Sequence, residues 1–145
     1  KNHTCHKIMS SKFESSAREI PYAQQSVYNM LSDLTNIEKV RDKIPEDKIK
    51  DLTFDADSIS IHSPLGDVQL NIIERDEPKC IKFETKKSPI PVNLWIQILP
   101  VTDHSSKMKL TMKAEVIPFI KAMVKKPLQE GIEKVADALQ MIQYE

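Results

Sequence analysis

The sequence predicts an α+β domain in which a curved antiparallel sheet of six or seven strands wraps around a long C-terminal helix, with two short helices after the first strand. Two periodicities predict this fold. Apolar residues recur at every second position from Leu52 to Met112, which is the spacing of strands. They recur at spacings of three and four in residues 21–34 and 127–142, which is the spacing of helices.

The length indicates one domain, because 145 residues are enough for one core and no repeat or linker divides the chain. We expect residues 1–11 to form a disordered or extended tail and residues 12–145 to form a single domain. The tail residues His3, Cys5 and His6 are only a fragment of a metal-ligand set, so no metal site is expected there.

The first elements are predicted to be a strand and two helices. Residues 12–19 alternate weakly between polar and apolar side chains, as a strand does. Pro21 suits the first turn of a helix, and the spacing that follows predicts a helix over residues 21–34. Asn36 is expected to cap a second, short helix that ends at Pro45.

Six further strands are predicted between these helices and the C-terminal helix. Short, turn-like breaks separate them at residues 55–58, 64–67, 76–79, 86–91 and 102–106. Consecutive strands are therefore expected to be hairpin neighbours in a sheet with one apolar and one polar face. The alternation places Leu94 and Ile96 on the apolar face and Trp95 on the polar face, and a register shift of one residue would exchange them.

Two helical segments are predicted at the C-terminus. Pro118 opens a short apolar one, and Pro127 opens a longer helix that is expected to lie across the apolar face of the sheet. Gly131 in the longer helix costs about 1 kcal/mol relative to alanine, which a close approach to the sheet would justify. Because one helix does not fill a strongly curved sheet, we expect a cavity between them.

Apolar side chains of the strands and of the C-terminal segments are expected to line this cavity. The ligand-binding candidates are Phe54, Ile61, Leu70, Ile72, Phe83, Ile96, Met112, Phe119, Met123 and Ile132. Met108, Met112 and Met123 would adapt to ligands of irregular shape, although methionine is more often core filler.

Two segments resemble a known superfamily. SVYNMLSDLTNIEKV is an apolar-spaced helix that ends in Leu-x-Asp followed by Asn, and WIQILPVTDHSSKMKLTMKAEV is a strand pair whose first strand ends near Pro. With the order of elements, they resemble the START-like superfamily, also called SRPBCC, over about residues 12–143. The resemblance implies the helix-grip fold, which serves lipid carriers, hormone receptors, polyketide cyclases and chaperone-stimulating domains.

This chain lacks a loop that some members of the START-like superfamily carry. Those similar to the birch pollen allergen carry a glycine-rich loop between two early strands, where this chain has DADS at residues 55–58. The chain contains only two glycines, Gly66 and Gly131, so a phosphate-binding loop is not expected.

Composition narrows the range of partners. Lys plus Arg and Asp plus Glu both number 21, and the short basic stripe of Lys121, Lys125 and Lys126 is typical of a solvated helix face, so no nucleic acid is expected. No apolar stretch approaches the roughly 20 residues of a membrane span. Two cysteines, Cys5 and Cys80, do not make a disulfide framework, which favours a cytoplasmic location.

No catalytic constellation is visible, so no catalytic residue, cofactor or metal is assigned. His62 and His104 are expected on the surface, and Asp33 and Glu38 are expected to have capping roles.

Three functional hypotheses remain. The first is a carrier or sensor of a small apolar molecule, such as a lipid, an isoprenoid or a polycyclic aromatic. The second is a cyclase-type enzyme, with Tyr28, Asn93, Gln97 or His62 assisting the reaction. The third is a protein-binding module, including a homodimer, that uses the outer sheet face near Trp95.

Overall fold

The computed structural model describes residues 9–39, 42, 52–63, 66–87 and 91–144. Within them the strands are β1 (Met9–Glu14), β2 (Arg18–Ile20), β3 (Leu52–Asp55), β4 (Ser58–Ser63), β5 (Gly66–Asp76), β6 (Cys80–Lys87), β7 (Val92–Thr102) and β8 (Ser105–Val116). The helices are α1 (Gln24–Leu31), α2 (Thr35–Lys39) and α3 (Pro118–Gln140).

Several features predicted from the sequence fall outside these described ranges. The tail with His3, Cys5 and His6, the end of the second helix at Pro45, and the centres of the turns at 64–67 and 86–91 lie outside the described residues.

The strands form one antiparallel sheet in the order β1-β8-β7-β6-β5-β4-β3, with β2 also paired to β8. From β3 to β8 each strand pairs with the next along the chain, which confirms the predicted hairpin connections. The sheet and the long C-terminal helix confirm the predicted helix-grip architecture.

The predicted first strand is two strands, because the chain bulges between them. Glu14 pairs with Thr111 and Arg18 with Met108, so four steps along one chain oppose three along the other. At the bulge the backbone N–H of Ser15 donates to the carbonyl of Leu110 at 2.9 Å, and the Ser15 hydroxyl accepts from the Leu110 N–H at 3.0 Å. A bulge of this kind bends the edge of the sheet.

The strand register puts Trp95 on the outer face. Trp95 pairs with Lys82 on β6 and with Thr111 on β8, whereas its neighbour Ile96 pairs with Ile81 and is fully buried. The register inferred from the alternation is therefore correct.

The two N-terminal helices differ in detail from the prediction. α1 begins at Gln24 instead of Pro21 and ends at Leu31. Asn36 lies inside α2 and does not cap its start, because its side-chain amide donates to the carbonyls of Asn29 and Met30 at 3.4 and 3.3 Å. The side chain of Asp33 supports the start of α2 instead, by accepting hydrogen bonds from the hydroxyl and the N–H of Thr35.

The two predicted C-terminal segments are one helix, since α3 runs through Pro127. A proline leaves the carbonyl four residues before it without its helical donor. That carbonyl belongs to Met123, which is 60% exposed, so water can satisfy it and the helix continues.

Candidate ligand-binding site

The position of α3 is set by polar contacts along one of its flanks. The Arg18 guanidinium on β2 binds the carboxylates of Glu133 and Asp137, each at 2.6 Å. The side-chain amides of Gln129 and Gln140 donate to the carbonyls of Glu14 and Glu19 at 2.9 and 3.3 Å. These contacts hold α3 along β1 and β2, and they satisfy edge carbonyls that would otherwise be open to another strand.

Gly131 lies on the opposite flank of α3. It is two residues from both Gln129 and Glu133, which is roughly 200° around a helix. It is four or seven residues from Val124, Val135 and Ala138, all of which are buried, so it belongs to the face that meets the sheet.

The space beside Gly131 is open. A Cβ atom placed there would meet nothing within 4 Å, so the expectation that a close approach to the sheet requires this glycine is wrong. The missing side chain instead leaves open space on the flank of α3 away from β1 and β2.

Half-buried apolar side chains occur on β4, β5 and α3. Ile61 and Val68 pair across β4 and β5 on the inner side of the sheet, and Ile120 and Leu128 lie on α3. All four pack against the core on one side and remain partly accessible on the other. They are half-buried apolar side chains at the margin of the core.

Most of the predicted lining residues belong to the core cluster. Leu70, Phe83, Ile96 and Ile132 have no exposed surface, Met112 and Phe54 are 4% and 8% exposed, and Ile61 and Ile72 are half-buried. A side chain with no exposed surface has no water-sized space beside it. The half-buried members are therefore the better candidates for ligand contact.

The other two predicted lining residues are placed outside. Phe119 is 72% exposed and Met123 is 60% exposed. Both lie on the solvent side of α3, because the buried stripe of this half of the helix passes through Val124 and the half-buried Ile120. Neither is kept in the lining set.

The charges on the described part of the inner face are compensated. Arg18 is bound to Glu133 and Asp137, and Arg75 is bound to Asp57 at 2.7 Å and to the Ser32 carbonyl at 2.9 Å.

One buried polar group is not predicted by the sequence pattern. The Ser11 hydroxyl on β1 is enclosed without a hydrogen-bond partner. Nothing in the period-two pattern distinguishes it from an outward serine.

The candidate catalytic helpers do not come together. The Asn93 amide donates to the Phe83 carbonyl at 3.4 Å, and the Gln97 carbonyl oxygen accepts from the Thr111 hydroxyl at 3.3 Å, both on the outer face. His62 is exposed, with Nδ1 3.0 Å from Asp67. Tyr28 is buried in α1, and this burial raises the pKa of its phenol.

Trp95 is half-buried on the outer face beneath two lysines. The ammonium groups of Lys82 and Lys113 lie 5.2 and 5.7 Å from the ring centroid, within the range of cation–π attraction. Leu99, further along β7, is 58% exposed, and Ile73 in the β5 bulge is 49% exposed.

A concavity lies beside β2, at the end of the sheet where β7 turns into β8. It has a volume of ≈ 400 Å³ and is lined by Glu19, Ile20, Val101, Ser105, Ser106 and Lys107. Its wall combines a carboxylate, an ammonium group and two hydroxyls, so it is less suited to an apolar molecule than the space beside Gly131.

Cys80 is a free, half-buried thiol whose pKa is raised by burial. Within the described ranges, no helix is both long and apolar enough to cross a bilayer, and no group of three or more His, Cys, Asp or Glu side chains is placed to hold a metal.

Comparisons with solved structures identify the fold. Norcoclaurine synthase from Thalictrum flavum, a point mutant in complex with a transition-state analogue, superposes with a TM-score of 0.70 at 14% identity, over 92% of this chain and 94% of that one. A START superfamily protein from Mycobacterium smegmatis gives 0.60 at 15%, over 92% and 94%. A Thermus thermophilus protein gives 0.63 at 16%, over 90% and 94%.

No family model and no curated protein sequence matches the chain. The structural matches alone establish that it has the START-like helix-grip fold indicated by the two sequence segments.

Proposed function

We propose that the protein binds a small, uncharged, apolar molecule between α3 and the inner face of the sheet, as a carrier or sensor. The observation that carries the proposal is the open space at Gly131, on the face of α3 that otherwise packs against the core. Ile61, Val68 and Leu128 would supply apolar contacts.

The chemistry of the space favours an uncharged ligand. Removing apolar surface from water contributes about 25 cal/mol per Å², so a lipid, isoprenoid or polycyclic aromatic would gain affinity from burial alone. A charged ligand would need a partner, and the inner-face arginines Arg18 and Arg75 are already bound to carboxylates.

A substitution that fills the space tests this proposal. In Gly131→Leu the new side chain occupies the volume that the ligand needs, while Glu130→Leu adds the same side chain at an exposed position one residue away. Native mass spectrometry of the freshly purified parent is expected to show an apolar adduct, and Nile red is expected to gain fluorescence. Both signals should be lost in Gly131→Leu and kept in Glu130→Leu.

The proposal is contradicted if the parent carries no adduct and leaves Nile red unchanged. It is also contradicted if Gly131→Leu, with an intact circular dichroism spectrum, binds as well as the parent. Equal loss in both leucine variants would place the binding somewhere else on the helix.

Cyclase-type catalysis is the alternative in the same space. Its candidate helpers Asn93, Gln97 and His62 lie on the outer face or in solvent, apart from the open space. The solved norcoclaurine synthase shares the fold with this chain at 14% identity, and fold alone does not carry over its chemistry. The carrier or sensor is therefore the function that we favour.

The third hypothesis is protein binding through the outer sheet face, including a homodimer near Trp95. The exposure of Ile73 and Leu99 supports it. Lys82 and Lys113 weigh against a two-fold contact, since an isologous interface would bring these like charges together. Analytical sedimentation of the parent and of Trp95→Lys tests this hypothesis. A dimer in the parent that is lost in the variant would support self-association, and the same oligomeric state in both would contradict it.

A further inference from the structure

The concavity beside β2 contains one carboxylate and one ammonium group. Among the described residues that line it, Glu19 on β2 and Lys107 on β8 are the only charged ones. They are direct partners in the antiparallel pairing of the two strands, so their side chains leave the sheet on the same face, with Cβ atoms about 5 Å apart. The volume of ≈ 400 Å³ falls within the range of about 300–1,000 Å³ that is typical of small-molecule sites. The concavity is therefore large enough for a ligand that contacts both charges.

The two charges do not neutralise each other. In the part of the chain that the structure describes, neither the Glu19 carboxylate nor the Lys107 ammonium group takes part in an ion pair. On the same strand, by contrast, the ammonium group of Lys109 lies 2.9 Å from the Glu14 carboxylate of β1. A cross-strand ion pair is thus formed at the next outward position of β8, whereas Glu19 and Lys107 keep both charges available to a ligand.

Apolar side chains border these charges. The pairing of β7 with β8 is irregular between Pro100 and Thr102, so Val101 lies at a bulge, where it is 54% exposed and lines the concavity. Pro21, which follows β2, is also exposed and lines the concavity. A ligand that contacts both charges can therefore place an apolar group against Val101 and Pro21.

Hydrogen bonds hold the backbone around the concavity in place. The hydroxyl of Ser106, a buried residue on β8, donates to the carbonyl of Tyr22 at 2.9 Å. The side-chain amide of Gln140 on α3 donates to the carbonyl of Glu19 at 3.3 Å. Because these bonds connect β2 and the segment after it to β8 and α3, the site needs little rearrangement when a ligand binds.

We propose that this concavity binds a free α-amino acid with an aliphatic side chain. Such a molecule carries an ammonium group and a carboxylate on one carbon atom, which suits the short distance between the two unpaired charges. Its ammonium group would donate to the Glu19 carboxylate, its carboxylate would accept from Lys107, and its side chain would pack against Val101 and Pro21. Gly131 does not line this concavity, so the inference is independent of the proposed apolar ligand.

Titration of isotope-labelled protein with L-leucine, followed by NMR, tests the proposal. We expect the backbone amide signals of Ile20, Val101 and Ser106 to shift together and saturate. The expected Kd is on the order of 1 mM, because ion pairs at an open concavity are partly exposed to water. Leucinamide, which lacks the carboxylate, and N-acetylleucine, which lacks the ammonium group, should each bind about fivefold more weakly.

Two single variants assign the two end groups of the ligand. Glu19→Gln should bind L-leucine about fivefold more weakly than the parent and should no longer distinguish it from N-acetylleucine. Lys107→Gln should lose about the same affinity and should no longer distinguish L-leucine from leucinamide. Lys113→Gln and Glu115→Gln are matched controls, because each removes an exposed charge of β8 outside the concavity, and both should bind L-leucine as the parent does.

Three outcomes overturn the proposal: no saturable shift with L-leucine, equal affinity for all three ligands, or unchanged selectivity in both Glu19→Gln and Lys107→Gln. Equal loss of affinity in the two control variants would also contradict it. Circular dichroism of each variant shows whether it is folded. Gly131→Leu separates this proposal from the apolar site, because it should keep L-leucine binding while losing the apolar adduct.

Discussion

The proposed ligand site depends on the open space beside Gly131. The effect of this glycine on helix stability can be tested separately. In Gly131→Ala a single methyl enters open space, so the variant gains helix propensity without a clash. We expect its free energy of unfolding to rise by about 0.5–1 kcal/mol in urea titrations. A fall in stability would mean that the sheet or a neighbouring side chain lies closer to α3 than described.

Arg18 is the second decisive residue, because it connects β2 to α3 through two carboxylates. Its side chain is 13% exposed, and the side chains of Glu133 and Asp137 are 37% and 35% exposed. Arg18→Leu removes the guanidinium that both carboxylates bind in a partly enclosed place, and we expect a loss of about 2 kcal/mol in urea unfolding.

Removing the carboxylates as well supplies the control for Arg18. Arg18→Leu combined with Glu133→Leu and Asp137→Leu is expected to regain most of the lost stability, because the two carboxylates that Arg18 binds are removed with it. Equal destabilisation in the single and the triple variant would show that packing, not charge pairing, is the role of Arg18.

At the scale of elements, the junction of α1 and α2 contains a carboxylate whose protonation is expected to weaken it. The hydroxyl and the N–H of Thr35 donate to the Asp33 carboxylate at 2.6 and 3.1 Å, and these bonds lower the pKa of Asp33. A lowered carboxyl pKa contributes stability that is present above the unfolded-state pKa and is lost as the pH falls through the folded-state pKa.

Titration of the Asp33 carboxyl carbon by NMR checks this junction. We expect a midpoint below the ordinary aspartate range in the parent and an upward shift in Thr35→Val, which removes the shorter bond. Glu14 is a comparison within the same protein, because its lowered pKa comes first from Lys109 on β8, 2.9 Å away, and should not respond to Thr35→Val. A parallel shift of both groups would point to a general loss of structure.

The elements also show where sequence patterns are reliable. β3 to β8 follow directly from period-two alternation, because one wet face keeps polar residues at every other position. α3 was predicted as two segments, since proline ends most helices; it continues because the carbonyl that Pro127 leaves without a donor is that of the exposed Met123. The Ser15 bulge was not predicted either, because a side chain that replaces a backbone acceptor does not alter the apolar pattern.

At the scale of the molecule, the two ends of the sheet differ. Beside α1, the C-terminal residues cover part of the core: Tyr144 is buried, donates its hydroxyl to the Leu139 carbonyl at 2.5 Å and packs edge-on against Tyr22 at 6.0 Å. The opposite end carries the half-buried Ile61 and Val68 and the exposed start of α3.

This asymmetry also explains the limit of the site prediction. Alternation identifies the inner face, on which Leu70 and Phe83 were rightly placed, but it does not distinguish a side chain packed in the core from one bordering an open space. That distinction depends on where α3 lies across the sheet. The position of α3 is set by Arg18, Gln129 and Gln140, whose pairing across more than a hundred residues leaves no local pattern.

The central claim is that an apolar molecule enters between α3 and the β4–β5 part of the sheet. A titration of methyl-labelled protein with naphthalene, followed by NMR, tests it most directly. We expect the methyl signals of Ile61, Val68, Ile120 and Leu128 to shift together and saturate, while those of Leu99 and Val101 on the outside stay in place. Shifts confined to Leu99 and Val101, or no saturable shift at all, would contradict the claim.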